Sequence, residues 1–166
     1  MKGFLRSFAC AARGLWFCVR HERHFRIHLT AAAYVLCFAP YFSLTRGEWT
    51  ALILLLGIVP ATEAVNTAVE QAVNLAQPQR RTRARVAKDV AAGAVLLLAA
   101  VAVIIGFVLF WRPEVFTAIL ADFRRSLWKP VCLLMSLFPA GWFIAFGGLR
   151  PKRRRSSCRC RGRDKP

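Results

Sequence analysis

Ala51-Leu-Ile-Leu-Leu-Leu-Gly-Ile-Val59-Pro60-Ala-Thr62-Glu63-Ala-Val-Asn66-Thr67-Ala-Val-Glu70 begins as a bilayer-spanning helix and ends as a polar one. A carboxylate facing lipid is costly, so acidic groups in such a helix face a bundle interior or a water-filled site and mark function. At 3.6 residues per turn, Glu63, Asn66, Thr67, Glu70, Asn74 and Gln77 fall within one arc of the helix, while Val65, Ala68, Val69 and Ala72 lie elsewhere. Counting from Trp49, a rise of 1.5 Å per residue carries Glu63 about 21 Å into a hydrocarbon core roughly 30 Å thick and brings Glu70 near its far boundary. One carboxylate therefore meets lipid headgroups and the other meets water, a geometry that suits chemistry between a membrane molecule and a soluble one.

The rest of the chain agrees with a membrane setting. It has 166 residues, 57% of them hydrophobic, which is too apolar for an ordinary soluble domain of that size. Besides the quoted helix, Val90 to Trp111 is a charge-free stretch long enough to cross, Val131 to Leu149 nearly so, and Leu29 to Leu44 is shorter but uncharged. Phe4, Leu5, Phe8, Ala12, Leu15, Trp16 and Val19 recur at helical spacing among Lys2, Arg6, Arg13 and Arg20, the pattern of a helix lying in the interface. Val115, Phe116, Ile119, Leu120, Phe123 and Leu127 predict a second such helix.

The formal charge of +17 invites a nucleic-acid reading, but 9 of the 25 basic residues lie between Arg150 and Lys165 and most others flank apolar segments. That is positive-inside topology, and no specific nucleic acid is expected. It places the N-terminus and the connection from Arg80 to Lys88 in the cytoplasm, as a multi-pass protein of the bacterial inner membrane. Three spans would leave the basic tail outside and a fourth returns it, so the charge rule favours four. The expected class is an all-α integral membrane protein: an amphipathic surface helix over 3–27, spans near 29–45, 49–76 and 90–111, an extension over 112–149 with an interfacial helix and a fourth span, and a disordered polybasic tail over 150–166. Pro60 removes the N–H that would bond Leu56, which predicts a kink just before Glu63. No cleavable leader is evident in the first residues.

Several motifs are excluded. His21-Glu22-Arg23-His24 has its second histidine one position too early for His-Glu-x-x-His, and the i, i+3, i+7 series His21, His24, His28 is weak ground for a metal site. Cys10, Cys18, Cys37, Cys132, Cys158 and Cys160 lack the spacing of a zinc site or disulfide framework and read as reduced thiols. No Gly-x4-Gly-Lys-Ser/Thr loop occurs, so a nucleotide site would be of another kind. What remains on the cytoplasmic side is Glu22, the only acidic residue before the first span, and Lys88-Asp89 at the entrance of the third.

These residues carry a resemblance. Glu22 with Phe25-Arg26-Ile27-His28, then Glu63-x-x-Asn66-Thr67-Ala68-Val69-Glu70, then Ala87-Lys88-Asp89-x-Ala91-Ala92-Gly93-Ala94-Val95 resembles, in order and spacing, the prokaryotic diacylglycerol kinase and undecaprenol kinase family over about residues 1 to 111. The resemblance implies a homotrimer with active sites shared between subunits, and transfer of the ATP γ-phosphate to the hydroxyl of a membrane lipid with Mg²⁺. Position by position, Glu63 resembles the general base and Asn66 a positioning residue. Glu22 and Glu70 resemble the magnesium-holding carboxylates, and Lys88 and Asp89 nucleotide-site residues. Arg6 and Arg26 are candidates for contact with substrate, although surface snorkelling accounts equally for Arg6. Phe25-Arg26-Ile27-His28 looks more like the undecaprenol kinases than the diacylglycerol kinases. The chain departs from the family at Asn74, where aspartate is usual, at Arg81, where histidine is common, at Pro60, and in residues 112–166, which short members lack. Intramembrane glutamates would also suit a small proton- or cation-conducting protein, and the extension would suit a weakly catalytic paralogue with a regulatory role. Neither alternative explains why Glu22, Lys88 and Asp89 accompany the polar arc from Glu63 to Gln77.

Overall fold

In the computed structural model, which describes residues 2–76 and 82–147, with side chains from residue 4 onward, the chain is helical, and no strand occurs among the described residues. Helix α1 (Lys2–His21) leads through Glu22 into α2 (Arg23–Phe38), followed by a short 3₁₀ turn (Ala39–Phe42), α3 (Arg46–Ala76), α4 (Thr82–Phe110), α5 (Pro113–Arg125) and α6 (Trp128–Phe146). Four segments are long and apolar enough to cross a membrane: α2 with its 3₁₀ turn, α3, α4 and α6.

The surface helix is shorter than the sequence predicts. It ends at His21, and Glu22 takes an extended conformation (φ −103°, ψ 114°), so residues 23–27 open α2 instead of closing α1. Phe4, Leu5, Phe8, Leu15 and Trp16 are all exposed on α1, an apolar stripe with its basic residues beside it, as interfacial binding requires. Pro40 stops α2 in the 3₁₀ turn, and Ser43 (φ 46°) turns the chain back.

Thr45 starts α3 with a reciprocal cap: its N–H and hydroxyl both donate to Glu48 Oε2 (2.7 and 2.9 Å), and the Glu48 N–H donates to the Thr45 hydroxyl at 3.3 Å. Arg112, just past α4, donates to Glu48 Oε1 at 2.6 Å and to the Phe42 carbonyl at 2.7 Å, which closes this end of the bundle. Ala39, Leu52 and Leu109 are buried there against Leu56, Ile105 and Phe110. α3 stays helical through Pro60 and packs most extensively on α4, with α2 against its other flank.

α6 lies along α2. Asp122 and Lys129 pair at 2.6 Å beneath the Tyr41 hydroxyl, Tyr34 and Ser136 meet at 2.9 Å midway, and Arg26 reaches the Ile144 carbonyl at the other end. The expectations for Gln77, Arg80, Arg81 and 150–166 fall outside the described residues.

Candidate active site

The polar face of α3 turns inward at one level. Glu63 and Thr67 are each only 4% exposed, Asn66 and Glu70 are half-buried, and Asn74 is exposed near the helix end. This grading follows the arc read from the sequence: the deepest carboxylate is also the most enclosed. The Thr67 hydroxyl donates to the Glu63 carbonyl at 3.1 Å, which satisfies it within the helix and leaves the Glu63 carboxylate itself without an ion-pair partner among the described residues.

The extended link at Glu22 brings a third carboxylate to this face. Partial burial pushes the Glu22 carboxyl up from its ordinary value, and the nearby charges of Glu70 and then Glu63 push it further, against a smaller opposing pull from His21 and His24. Cys18, one helical turn earlier on α1, is buried beside the Thr67 hydroxyl. Its thiol is raised by burial first and then by Glu22 and Glu63. Three like charges gathered from α3 and the α1–α2 link destabilise one another unless a cation or proton joins them. The Asn66 amide oxygen is buried with no hydrogen-bond partner among the described residues, a second unmet demand on the same helix face.

Those two features are the test of whether a divalent cation fits. Among the described residues no group of three or more His, Cys, Asp or Glu side chains forms a metal cage. Mg²⁺ does not need one: it is commonly held by one or two carboxylates together with substrate phosphates and water. Glu22 and Glu70, mutually repulsive and partly open to solvent, fit that pattern. His21 stacks on Phe17 with ring centroids 4.2 Å apart and donates from Nδ1 to the Phe17 carbonyl at 3.0 Å, so its ring caps α1 instead.

Lys88, half-buried on α4, donates from Nζ to the Asn74 amide oxygen at 2.7 Å, joining the solvent-side ends of α3 and α4. Because that acceptor is neutral, the ammonium keeps its full charge for an anion. Asp89 is exposed beside it. Arg6 is exposed on the first turns of α1, about 18 Å along the helix from Cys18, and is not brought to the carboxylates. Arg26 is 4% exposed, with its guanidinium on the carbonyls of Val19, Arg20 and Ile144. Sequence reasoning overlooked Cys18 at the site and the Lys88–Asn74 contact. The first had a signal in its i, i+4 spacing to Glu22, the second in two polar residues flanking one short connection.

An apolar groove of about 330 Å³ opens between α2, α3 and α4. Ala31, Ala32, Ala99, Ala102 and Gly106 keep it open against Leu52 and Leu56, His28 lines it from α2, and Pro60 lines it from α3, less than one helical turn before Glu63.

Residues 9–110 match the family described as prokaryotic diacylglycerol kinase. The chain is 40% identical over 107 residues to an undecaprenol kinase of Bacillus subtilis, spanning 64% of this chain and 87% of that protein. It is 38% identical over 110 residues to a diacylglycerol kinase of Synechocystis sp., spanning 66% of this chain and 63% of that protein. No solved structure matches the chain. Every candidate site residue except Arg6 lies inside the matched segment, and α5 and α6 lie outside it.

Proposed function

The chain belongs to the prokaryotic diacylglycerol kinase family and is a membrane lipid kinase, a phosphotransferase with an alcohol as acceptor; from that premise we propose that it moves the γ-phosphate of ATP to the hydroxyl of undecaprenol, with diacylglycerol as the competing acceptor. The observation that carries this reading is the buried Glu63 carboxylate, without an ion-pair partner among the described residues and three positions along α3 from the Pro60 wall of an apolar groove, with Glu22 and Glu70 close enough to repel one another.

In this mechanism the groove takes the hydrocarbon chain of the lipid and delivers its hydroxyl to Glu63. Glu63 accepts the hydroxyl proton as the oxygen bonds to the γ-phosphorus and the bond to the departing ADP oxygen breaks. The Asn66 amide orients the hydroxyl. Glu22 and Glu70 would hold Mg²⁺, which neutralises charge on the transferring phosphate. Lys88 faces the phosphates with the positive charge that Asn74 leaves uncompensated, and Asp89 borders the nucleotide. Such a reaction depends mainly on positioning and charge neutralisation, which is what this set of side chains supplies. The site faces the cytoplasm of a bacterial inner membrane, with the N-terminal helix on that leaflet, and is shared between the subunits of a homotrimer.

The test uses purified full-length protein, Mg²⁺ and γ-labelled ATP, with undecaprenol and diacylglycerol offered separately. Label is expected in undecaprenol above diacylglycerol, and a Glu63→Gln variant should lose about 10²- to 10⁴-fold in rate. No label in either lipid would sink the assignment, and undiminished labelling by the variant would sink Glu63 as the base.

A further inference from the structure

Arg26 carries a buried charge that no carboxylate neutralises among the described residues. Its Nη1 donates to the carbonyls of Val19 and Arg20 at 3.0 and 3.4 Å, and its Nε and Nη2 donate to the Ile144 carbonyl at 3.3 and 3.1 Å. Those oxygens belong to the last turns of α1 and α6. Carbonyls in a final turn lack intrahelical partners, and they form the negative end of the helix dipole. One planar guanidinium thus serves two helix ends at once, which a point charge on a lysine cannot do.

The α6 end is shaped for this approach. A Cβ on Gly147, the residue that closes α6, would press on the Phe143 carbonyl oxygen and sit 3.1 Å from Arg26 Cδ. Only a residue without a side chain lets the helix end and the arginine come this close.

Between the two helices that Arg26 joins at its own end of the chain lies Glu22. Its carbonyl accepts from the Arg26 N–H at 3.4 Å, and its N–H donates to Cys18 at 2.8 Å. Glu22 has no side-chain cap of its own, so the angle of the α1–α2 link rests on the packing of Cys18 beside Thr67 and on the Arg26 contacts. We propose that Arg26 is a positioning residue through which α6, a helix outside the family match, sets where Glu22 stands relative to Glu70. The proposal rests on the reading of Glu22 as a holder of Mg²⁺. It makes the extension a working part of the catalytic site: α6 braces the last turn of α1 through Arg26, and the brace decides the spacing of the two carboxylates.

The experiment compares full-length wild type with Arg26→Met, Arg26→Lys, Gly147→Val and Glu22→Gln, reading amide hydrogen exchange over residues 19–26 and the Mg²⁺ half-saturation of lipid phosphorylation. Arg26→Met and Gly147→Val, which approach the contact from opposite sides, should each speed exchange and raise the Mg²⁺ half-saturation by about 3- to 10-fold, the scale of one net hydrogen bond. The rate of Gly147→Val at saturating Mg²⁺ should stay near that of wild type, and Arg26→Lys should recover part of the loss. A merely structural role would lower the amount of active protein and leave the half-saturation where it was, which would overturn the proposal, as would unchanged exchange in both variants. If Glu22→Gln leaves the half-saturation untouched, the metal-holding reading of Glu22 fails, and the exchange data alone then decide whether α6 braces the link.

Discussion

At one end of the bundle two carboxylates are firmly partnered: Glu48 takes the Thr45 cap and the Arg112 guanidinium, and Asp122 takes Lys129 and the Tyr41 hydroxyl. At the other, Glu22, Glu63 and Glu70 gather with no ion pair among the described residues, and the one buried arginine nearby spends its donors on carbonyl oxygens. The contrast shows in the protonation equilibria. The Lys129 hydrogen bond and charge hold Asp122 below its ordinary value, whereas burial and like charges lift Glu22 above its own. Paired carboxylates fasten the fold, while unpaired ones carry a cost in the resting protein, which the proposed function explains as readiness for a substrate and a cation.

The sharpest way to break this comparison is to remove one carboxylate from each end. Glu63→Gln should lose about 10²- to 10⁴-fold in phosphoryl transfer, whereas Glu48→Gln should keep its rate and lower the thermal midpoint. A Glu48 variant as inactive as the Glu63 one would erase the distinction. Next in size, Glu70→Gln should weaken apparent Mg²⁺ affinity at least about 10-fold, since even groups that merely orient metal ligands cost that much. Titration of Mg²⁺ against labelled lipid formed is the measurement.

A smaller effect, of opposite sign at the two ends, is expected in stability. Because the folded protein raises the Glu22 pKa, its ionisation removes stability as pH rises from the ordinary value toward the raised one. Glu22→Gln should therefore melt higher than wild type at neutral pH without Mg²⁺, and the gain should shrink when Mg²⁺ is added. Asp122 works the other way: its contribution is present above its ordinary value and fades as pH falls through the lowered one, so Asp122→Asn should melt lower at neutral pH. Equal shifts in the same direction would contradict the comparison. The smallest effect concerns thiols. Cys18, buried and raised by burial and by Glu22 and Glu63, should be alkylated far more slowly at neutral pH than exposed Cys10, as residue-resolved labelling would show.

Much of this was readable in the chain. Hydropathy locates the crossing helices because backbone groups in lipid must bond within a helix, which forces long apolar runs. The Glu63 to Glu70 face was readable too, since a 3.6-residue period leaves no freedom about which side chains share an arc. The break at Glu22 was not, because it has neither glycine, proline nor a side-chain cap to announce it. Spacing alone could not bring Glu22 to Glu70 either, and only the family resemblance joined them. Least visible was Arg26 on Ile144, a contact between residues 118 positions apart, which depends on how an apolar helix lies against another and so on packing that no local pattern encodes.

The course of α6 also bears on how copies of this chain can assemble. It occupies one flank of α2 at two heights, beside Tyr34 and Arg26, while Asp122 of α5 meets Tyr41 just beyond the end of α2, so that flank is closed to a neighbouring subunit. α4, by contrast, leaves Leu96, Leu97, Val103, Ile104, Phe107 and Val108 bare. A protein without this extension has one more helix surface on which to dimerise or trimerise, whereas here the chain has spent that surface on itself, and its stoichiometry must be decided by the faces that remain.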